Sequence, residues 1–188
     1  VLVILMIIVG YVGYNTFERD GLRFRSFNKI NDDVNNALSY DWNTGFRSGQ
    51  CFISATDEKT NKFSPACGLL GEKTKPILMI WGDSHSASLY RGFEKYGNEL
   101  GFLVTQFNAS GCPPILDFFV ENRKECINSN NYVFNEIKKI KPDVLVLGAN
   151  WEMYDGSPES KWEKVDGEKF ISTLRRVKEA GVKNIVVV

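Results

Sequence analysis

The sequence predicts an α/β fold in which helices cover both faces of one parallel sheet. Short apolar runs, such as Ile77–Trp81 and the run that ends at Leu147, stand next to turn-forming residues, which is typical of buried strands. Between these runs lie segments of about 10–15 residues whose apolar side chains recur at helical spacing. Parallel strands need such crossovers. This alternation of strands and helices therefore predicts a three-layer αβα architecture. The length of 188 residues suits one domain.

The N-terminal segment, residues 1–17, carries no charged side chain, and Glu18 is the first charge. A transmembrane helix needs about 20 apolar residues, whereas the apolar core of a signal peptide needs about 7–15. The segment shows neither the basic start nor the small-residue cleavage site of a signal peptide. Tyr11 and Tyr14 suit a membrane interface. We interpret residues 1–17 as the end of a transmembrane helix whose beginning is missing; a buried core helix is the alternative.

Residues 18–75 show weak periodicity and many turn formers, including Asn43, Thr44 and Gly45. Runs of this composition between periodic segments are typical of loops. The sequence therefore predicts an irregular linker or cap between the apolar helix and the sheet domain.

The cysteines bear on the compartment, and the chain has four of them: Cys51, Cys67, Cys112 and Cys126. Their even number and loop positions favour disulfides, and hence an oxidising compartment. Three connectivities are open; sequential pairing would close loops of about 15 residues, each stabilising the fold by roughly 3 kcal/mol. Arg19, Arg23 and Arg25 oppose this interpretation, because the positive-inside rule places them in the cytoplasm. We give the cysteines more weight.

The predicted domain, residues 76–188, contains four strands and three helices. The strands are expected at residues 77–81, 102–107, 143–147 and 184–188, and the helices at 84–100, 130–140 and 170–180. Gly101, Pro142 and Gly181 end the three helices, as glycine and proline commonly do. The sequence closes on Asn184–Val188 without a terminating loop, so we expect this domain to be cut at its C-terminal end.

Composition excludes several classes of function. The chain has 23 basic and 23 acidic residues and no net charge, whereas a nucleic-acid partner favours a basic surface. It has one histidine and neither C-x-x-C nor H-x-x-x-H spacing, so we predict no metal site. A glycine-rich phosphate loop is missing as well, which leaves nucleotide chemistry unsupported. The charged residues at 121–125 are interpreted as a solvated loop.

Polar residues follow three successive strands, at the edge of the sheet where ligands bind in this class of fold. Ser84 lies in the turn from a strand to a helix, where the helix dipole and free N–H groups favour a developing negative charge. The backbone N–H of Gly111 and the side chain of Asn150 are suitable donors to an oxyanion. Ser84 is therefore a candidate nucleophile. The alternatives are helix capping for Ser84 and turn formation for the other two.

Three motifs carry a resemblance to a known family: W-G-D-S-H at residues 81–85, G-C-P-P at 111–114 and G-A-N-W at 148–151. They resemble SGNH hydrolase-type domains, and more closely the SGNH domain fused to the C-terminus of membrane acyltransferase-3 proteins, which O-acetylate bacterial surface polysaccharides. The order of apolar helix, linker and domain is similar too. The resemblance implies a flavodoxin-like parallel sheet.

The resemblance also implies roles for individual residues. Ser84 would be the nucleophile, and the oxyanion hole would consist of the backbone N–H groups of Ser84 and Gly111 and the side chain of Asn150. The base and its orienting acid belong to a D-x-x-H segment in this family, which we expect beyond Val188. Because an unassisted serine is a weak nucleophile, we expect residues 1–188 alone to be inactive.

The motifs contain three further residues with expected roles. His85 is interpreted as a supporting residue and not as the base, because neighbouring residues on a helix do not face each other. Asp83 is a second supporting residue. Trp151 stands where many hydrolases of the family carry Asp, and it is a candidate for stacking on a sugar ring; packing in the core or rim is the alternative.

The resemblance implies transfer of an acyl group, acetyl in the first instance, through Ser84 to a cell-envelope polysaccharide such as lipopolysaccharide O-antigen. The domain would bind no cofactor, and acetyl-CoA would be the acyl donor of the fused acyltransferase-3 membrane domain. We expect an inner-membrane location with the SGNH domain facing the periplasm. Two alternatives stay open: a carbohydrate esterase that uses the same residues, and a non-catalytic glycan-binding domain.

Overall fold

A computed structural model describes residues 1–19, 34–35, 38–56, 62–69, 71, 73–157 and 162–188. The chain divides into two compact units, residues 1–41 and residues 42–188. Arg23 and Arg25, which opposed a periplasmic location, lie outside the described residues.

The first unit contains helix α1, Leu2–Glu18, whose 17 residues include none that is buried. Its interpretation as the end of a transmembrane helix stays a prediction. No helix in the described part of the chain is both long enough and apolar enough to cross a membrane.

The second unit is built on a five-stranded sheet in which every pair of neighbours is parallel. The strands are β1 Phe52–Ile53, β2 Ile77–Gly82, β3 Leu103–Ala109, β4 Val144–Gly148 and β5 Asn184–Val187. The helices of this unit are α2 Trp42–Phe46, α3 Ser84–Ser88, α4 Tyr90–Glu99, α5 Cys126–Ile140 and α6 Gly167–Glu179. The predicted α/β fold class is confirmed.

The strand order is β1-β3-β2-β4-β5. Without the short β1, this is the order 2-1-3-4 with which a flavodoxin-like sheet begins. The chain leaves β2 towards β3 on one side and later returns to β4 on the other, so the strand order reverses at β2. In sheets of this kind ligands bind beyond the carboxyl ends of the strands at such a switch point, and Ser84 follows β2 there.

The central strands are buried on both faces of the sheet, as expected for a covered parallel sheet. Met79 and Ile80 are neighbours in β2, so their side chains point to opposite faces, and both are fully buried. Leu145 and Val146 repeat this arrangement in β4. A central pair of strands that is buried on both faces therefore supports the loops that follow β2 and β4.

The structure differs from the predicted elements in three places. Strand β1 lies inside the stretch that was expected to be irregular, and Phe52 pairs with Asn108 of β3. The helix expected over residues 84–100 is two helices, α3 and α4, that meet at Leu89. Helix α5 begins at Cys126, four residues before the expected start.

The disulfides predicted from the cysteine content are confirmed, and they join cysteines that are sequential in the chain. One links Cys51 to Cys67 and the other links Cys112 to Cys126. The second bond ties the residue after Gly111 to the first residue of α5. It therefore anchors one loop of the candidate site.

Candidate active site

Three loops of the second unit leave the sheet side by side. Gly82, the last residue of β2, pairs with Asn108 of β3 and with Gly148 of β4. Neighbouring strands are about 4.8 Å apart, and Ser84, Gly111 and Asn150 each follow these paired positions by two or three residues. The loops that carry the three candidate residues therefore start at the same edge of the sheet.

Two glycines allow the strand ends to approach one another and helix α3. A Cβ atom at Gly82 would lie 1.7 Å from the carbonyl oxygen of Gly148. A Cβ atom at Gly148 would lie 2.6 Å from the Cβ atom of Ser86. A side chain at either position would push α3 and the turn at Ser84 away from β4, which explains why glycine stands there.

Asp83 connects the turn at Ser84 with the loop after β4. Its carboxylate Oδ1 accepts a hydrogen bond from the backbone N–H of His85 at 2.8 Å, and Oδ2 accepts one from the backbone N–H of Asn150 at 2.9 Å. The side chain is 1% exposed. Burial raises the pKa of the Asp83 carboxyl, and the hydrogen bonds from Asn150 and His85 oppose this. The first bond caps α3, and the second holds Asn150 near Ser84.

Ser84 is the first residue of α3 and is partly exposed. At this position its backbone N–H has no partner within the helix and points out of the helix start. The side chain of His85 is exposed, and its backbone N–H binds Asp83. His85 therefore contacts the Asp83 carboxylate through its main chain and not through its imidazole.

The buried side chains below this turn form a second polar contact between the loops. Asn108 Nδ2 donates a hydrogen bond to Ser86 Oγ, and Ser86 Oγ in turn donates to the carbonyl oxygen of Asp83 at 3.2 Å. Both side chains are buried. Helix α3 is thus tied to the end of β3 as well as to the loop after β4.

Gly111 lies in a tight turn directly after β3. The backbone N–H of Cys112 donates to the carbonyl oxygen of Ala109 at 3.1 Å, and Gly111 has a φ of +65°. A Cβ atom at Gly111 would lie 2.6 Å from the ring of Trp162. Glycine is therefore required both for the backbone conformation and for the contact with this ring.

Asn130 holds the chain that follows the turn. Its Nδ2 donates to the carbonyl oxygens of Pro113 at 2.9 Å and Ile115 at 3.0 Å, while its Oδ1 accepts from the indole N–H of Trp81 at 3.0 Å. Asn130 is buried on α5. The loop is therefore fixed to β2 and α5 by side-chain hydrogen bonds as well as by the disulfide.

Asn150 and Trp151 follow β4. Asn150 is partly exposed and precedes the 3-10 helix Trp151–Tyr154. The ring of Trp151 packs edge-to-face on Phe170 at 5.3 Å, and its Nε1 donates to the carbonyl oxygen of Val188 at 2.6 Å. Part of this ring is thus used within the protein, and stacking of Trp151 on a sugar stays a prediction.

The sequence interpretation missed Arg123. It was assigned to a solvated loop, and Glu121 and Lys124 are indeed exposed, but Arg123 is 4% exposed. Its Nη1 donates a hydrogen bond to the carbonyl oxygen of Ser110. A run of charged residues gives no local signal for this inward orientation. The orientation depends on the disulfide between Cys112 and Cys126, which brings the end of this loop back to its start.

Tyr154 lies buried near the same turn. Its ring packs against Phe118 and Trp162. Its hydroxyl has no hydrogen-bond partner among the described residues. Burial is the main cause that raises the pKa of Tyr154, and the charge of Asp83 adds to it. The described residues contain no group of three or more His, Cys, Asp or Glu side chains placed to hold a metal ion.

The parallel sheet, the G-D-S turn at its switch point and the glycine and asparagine loops beside it define an SGNH hydrolase-type domain. More narrowly, the family described as the SGNH domain (fused to AT3 domains) matches residues 50–188. The chain belongs to this family. The resemblance seen in the three motifs is confirmed.

A solved structure shares the fold. The chain is similar to the periplasmic domain of a lipopolysaccharide acetyltransferase from Salmonella serovar Paratyphi A, at 24% identity and a TM-score of 0.56. The match covers 78% of this chain and 54% of the other, so this chain spans about half the length of that domain. No curated protein matches the chain.

Proposed function

We propose that this domain transfers an acyl group, acetyl in the first instance, through Ser84 to a hydroxyl group of a cell-envelope polysaccharide. Membership in a family of SGNH domains fused to AT3 domains supports acyl chemistry. The observation that carries the proposal is the Asp83 carboxylate, which binds the backbone of His85 beside Ser84 and the backbone of Asn150. This buried carboxylate therefore fixes the backbone next to a candidate nucleophile relative to the backbone of a candidate oxyanion donor.

In the proposed mechanism, Ser84 Oγ attacks the carbonyl carbon of the acyl donor and loses its proton to a base. The base is expected from the D-x-x-H segment beyond Val188. The N–H groups of Ser84 and Gly111 and the side chain of Asn150 stabilise the oxyanion. The base gives this proton to the donor's leaving group, which departs, and an acyl-serine ester remains. A polysaccharide hydroxyl then attacks the ester and gives its proton to the base, which passes the proton to Ser84 Oγ as the acylated polysaccharide leaves.

The proposal places the domain in the periplasm, attached to the inner membrane. The two disulfides support an oxidising compartment, and the similar solved domain is periplasmic. The fused AT3 membrane domain would supply acetyl groups from acetyl-CoA. The similar domain comes from a lipopolysaccharide acetyltransferase, which supports a cell-surface glycan such as O-antigen as the acceptor.

Ser84→Ala in the intact protein tests the nucleophile. We expect O-acetylation of the cell-envelope polysaccharide to fall by more than about 1000-fold, because the acyl-serine ester can no longer form. Ser88→Ala is the matched control: Ser88 ends the same helix, is exposed, and donates its hydroxyl to the carbonyl oxygen of His85. It should leave O-acetylation unchanged.

Mass spectrometry of the trapped intermediate completes the test. An acetyl group on the peptide that contains Ser84 supports the covalent mechanism, and O-acetylation that persists in Ser84→Ala would rule it out. The fate of the acetyl group distinguishes the alternatives. Free acetate as the main product would indicate an esterase, and binding of polysaccharide without any turnover would indicate a glycan-binding domain.

A further inference from the structure

We propose that Arg123 is a positioning residue that fixes the direction of the Gly111 backbone N–H and strengthens it as an oxyanion donor. This inference rests on the proposed function, in which Gly111 binds the oxyanion. It starts from the buried hydrogen bond between Arg123 Nη1 and the carbonyl oxygen of Ser110.

The bond acts on Gly111 because both groups belong to one peptide unit. The carbonyl of Ser110 and the N–H of Gly111 lie in the same plane, and in a trans peptide they point in opposite directions. The protein contains no cis peptide bond among its described residues. When Arg123 holds the Ser110 carbonyl, it therefore also directs the Gly111 N–H away from the guanidinium.

The turn that contains this peptide belongs to one of two turn types that are related by a flip of the central peptide. It is closed by the hydrogen bond from Cys112 to Ala109, Gly111 has a φ of +65°, and Ser110 does not have a positive φ. These features define a type II turn. A type I turn differs mainly by a flip of the central peptide, with ψ of its second residue changing from about +120° to about −30°. Such a flip would turn the Gly111 N–H to the opposite side.

Arg123 stabilises one of these two forms. Its guanidinium binds the Ser110 carbonyl in the type II orientation, and the hydrogen bond is lost if the peptide flips. A hydrogen bond from a charged donor is stronger than one from a neutral donor. It also polarises the peptide, so that the N–H on the other side becomes a better donor. Both effects favour an oxyanion at Gly111.

The surroundings keep Arg123 in place. The carboxylate of Glu163 accepts a hydrogen bond from the backbone N–H of Glu121 at 2.6 Å, at the start of the 3-10 helix Glu121–Arg123. The Cγ atom of Arg123 lies 3.5 Å from the position that a Gly111 Cβ atom would take. Trp162 covers Gly111 as well. The start of the helix that carries Arg123 is therefore held by another loop, and the Arg123 side chain lies against the Gly111 turn.

Kinetics of the intact protein provide the first test. Arg123→Met removes the charge and the hydrogen bond, and we expect kcat for acyl transfer to fall about tenfold to hundredfold, since removing an oxyanion donor outright costs about 100-fold to 1000-fold. KM for the acyl donor should stay within about twofold, because the donor acts in the transition state. Arg123→Lys keeps a charged donor and should recover most of kcat.

Arg176→Met is the matched control, because Arg176 binds Asp117 on the surface of the protein and should leave kcat unchanged. If Arg123→Met does not fold, Arg123→Gln replaces it. Glutamine keeps a neutral donor, so we expect kcat to lie below that of wild type and above the range expected for Arg123→Met. A folded Met or Gln variant with wild-type kcat would overturn the inference.

A spectroscopic measurement tests the peptide directly, without relying on catalysis. Protein labelled with carbonyl-¹³C serine and ¹⁵N glycine gives signals from Ser–Gly peptides, which this chain has at residues 48–49 and 110–111. Ser48→Ala assigns them by removing the first signal. We expect the Gly111 amide to shift in Arg123→Met, to shift less in Arg123→Lys, and the Gly49 amide to stay in place.

The two measurements separate the inference from the proposed function. An active Ser84→Ala variant would refute the proposed function, yet the Gly111 amide would still report whether Arg123 orients the peptide. An inactive Ser84→Ala variant together with a Gly111 amide that does not move in Arg123→Met would refute the inference alone.

Discussion

Asp83 joins two loops of the candidate site with the two oxygens of one carboxylate. Each oxygen accepts a different backbone N–H, one from His85 and one from Asn150. An aspartate at the start of a helix is commonly explained by capping alone. Here capping uses Oδ1, and the bond from Oδ2 to the loop after β4 is a separate function of the same side chain.

Asp83→Asn separates these two functions. An amide has a single acceptor oxygen, so its NH₂ group must face one of the two backbone N–H groups. We expect the free energy of unfolding to fall by about 1–3 kcal/mol, the cost of a buried group left without its partner. Acyl transfer should fall more than about tenfold, since small displacements of catalytic groups are costly.

Asp166→Asn is the control for this prediction. Asp166 caps α6 with Oδ1, which accepts hydrogen bonds from the backbone N–H groups of Glu168 and Lys169. Asparagine caps helices about as well as aspartate, so thermal unfolding and acyl transfer should both stay near wild type. Equal losses of stability in the two variants would show that the Oδ2 contact of Asp83 contributes nothing.

At the scale of single residues, the sequence identified the candidates that follow strands. Ser84, Gly111 and Asn150 could be selected because the carboxyl ends of parallel strands meet at one edge of the sheet. Arg123 could not, because its position depends on a long loop whose path is set by tertiary contacts. The use of both oxygens of Asp83 likewise depends on the register between β2 and β4.

The loop between β3 and α5 is the element on which the Gly111 turn depends. It is held by the Cys112–Cys126 bond at its ends and by hydrogen bonds from Asn130 in its middle. The other disulfide, Cys51–Cys67, spans a comparable length of chain, with a separation of 16 residues against 14. The two bonds therefore form a natural pair for comparison.

Removal of each disulfide by a double Cys→Ser substitution should lower the free energy of unfolding by about 3 kcal/mol. The two values should be similar, because opening a loop of about 15 residues raises the entropy of the unfolded chain by a similar amount in each case. The effect on catalysis should differ. Loss of the Cys112–Cys126 bond frees the chain next to Gly111, so acyl transfer by the folded protein should fall. Loss of the Cys51–Cys67 bond should have a smaller effect.

Denaturant unfolding gives the stability of each variant, and acyl transfer is measured in conditions where both remain folded. A Cys112–Cys126 variant that unfolds more easily but transfers acyl groups at the wild-type rate would show that the disulfide stabilises the fold without positioning Gly111.

At the scale of elements, periodicity predicted the central strands and the helices between them. Strands β2 and β4 carry continuous apolar runs, which are typical of buried parallel strands. Strand β3 also contains the buried polar residues Thr105, Gln106 and Asn108. Strand β1 has two residues, too few for a periodic pattern, and it forms because Phe52 and Ile53 can pair with the end of β3. The break between α3 and α4 at Leu89 also lies in a segment whose apolar spacing is helical throughout.

For the whole molecule, the disulfides and the family support the proposed periplasmic location, whereas the basic residues after α1 oppose it. Both disulfides lie in the second unit, and bonds of this kind persist in oxidising compartments. The family fuses the SGNH domain to AT3 domains. A membrane protein whose second unit faces the periplasm satisfies both observations, and the orientation can be measured.

Asn135→Cys in the intact protein places a thiol on the exposed face of α5, outside the candidate site. The four native cysteines of residues 1–188 are all paired in disulfides. Within these residues, the maleimide can therefore react with the new thiol and not with a native cysteine. We expect a maleimide that crosses the outer membrane but not the inner membrane to label it in intact cells, while a cytoplasmic cysteine protein in the same cells stays unlabelled. Labelling of Asn135→Cys that requires lysis would place the domain in the cytoplasm. The periplasmic glycan would then be out of reach of Ser84, and the proposed acceptor would be wrong.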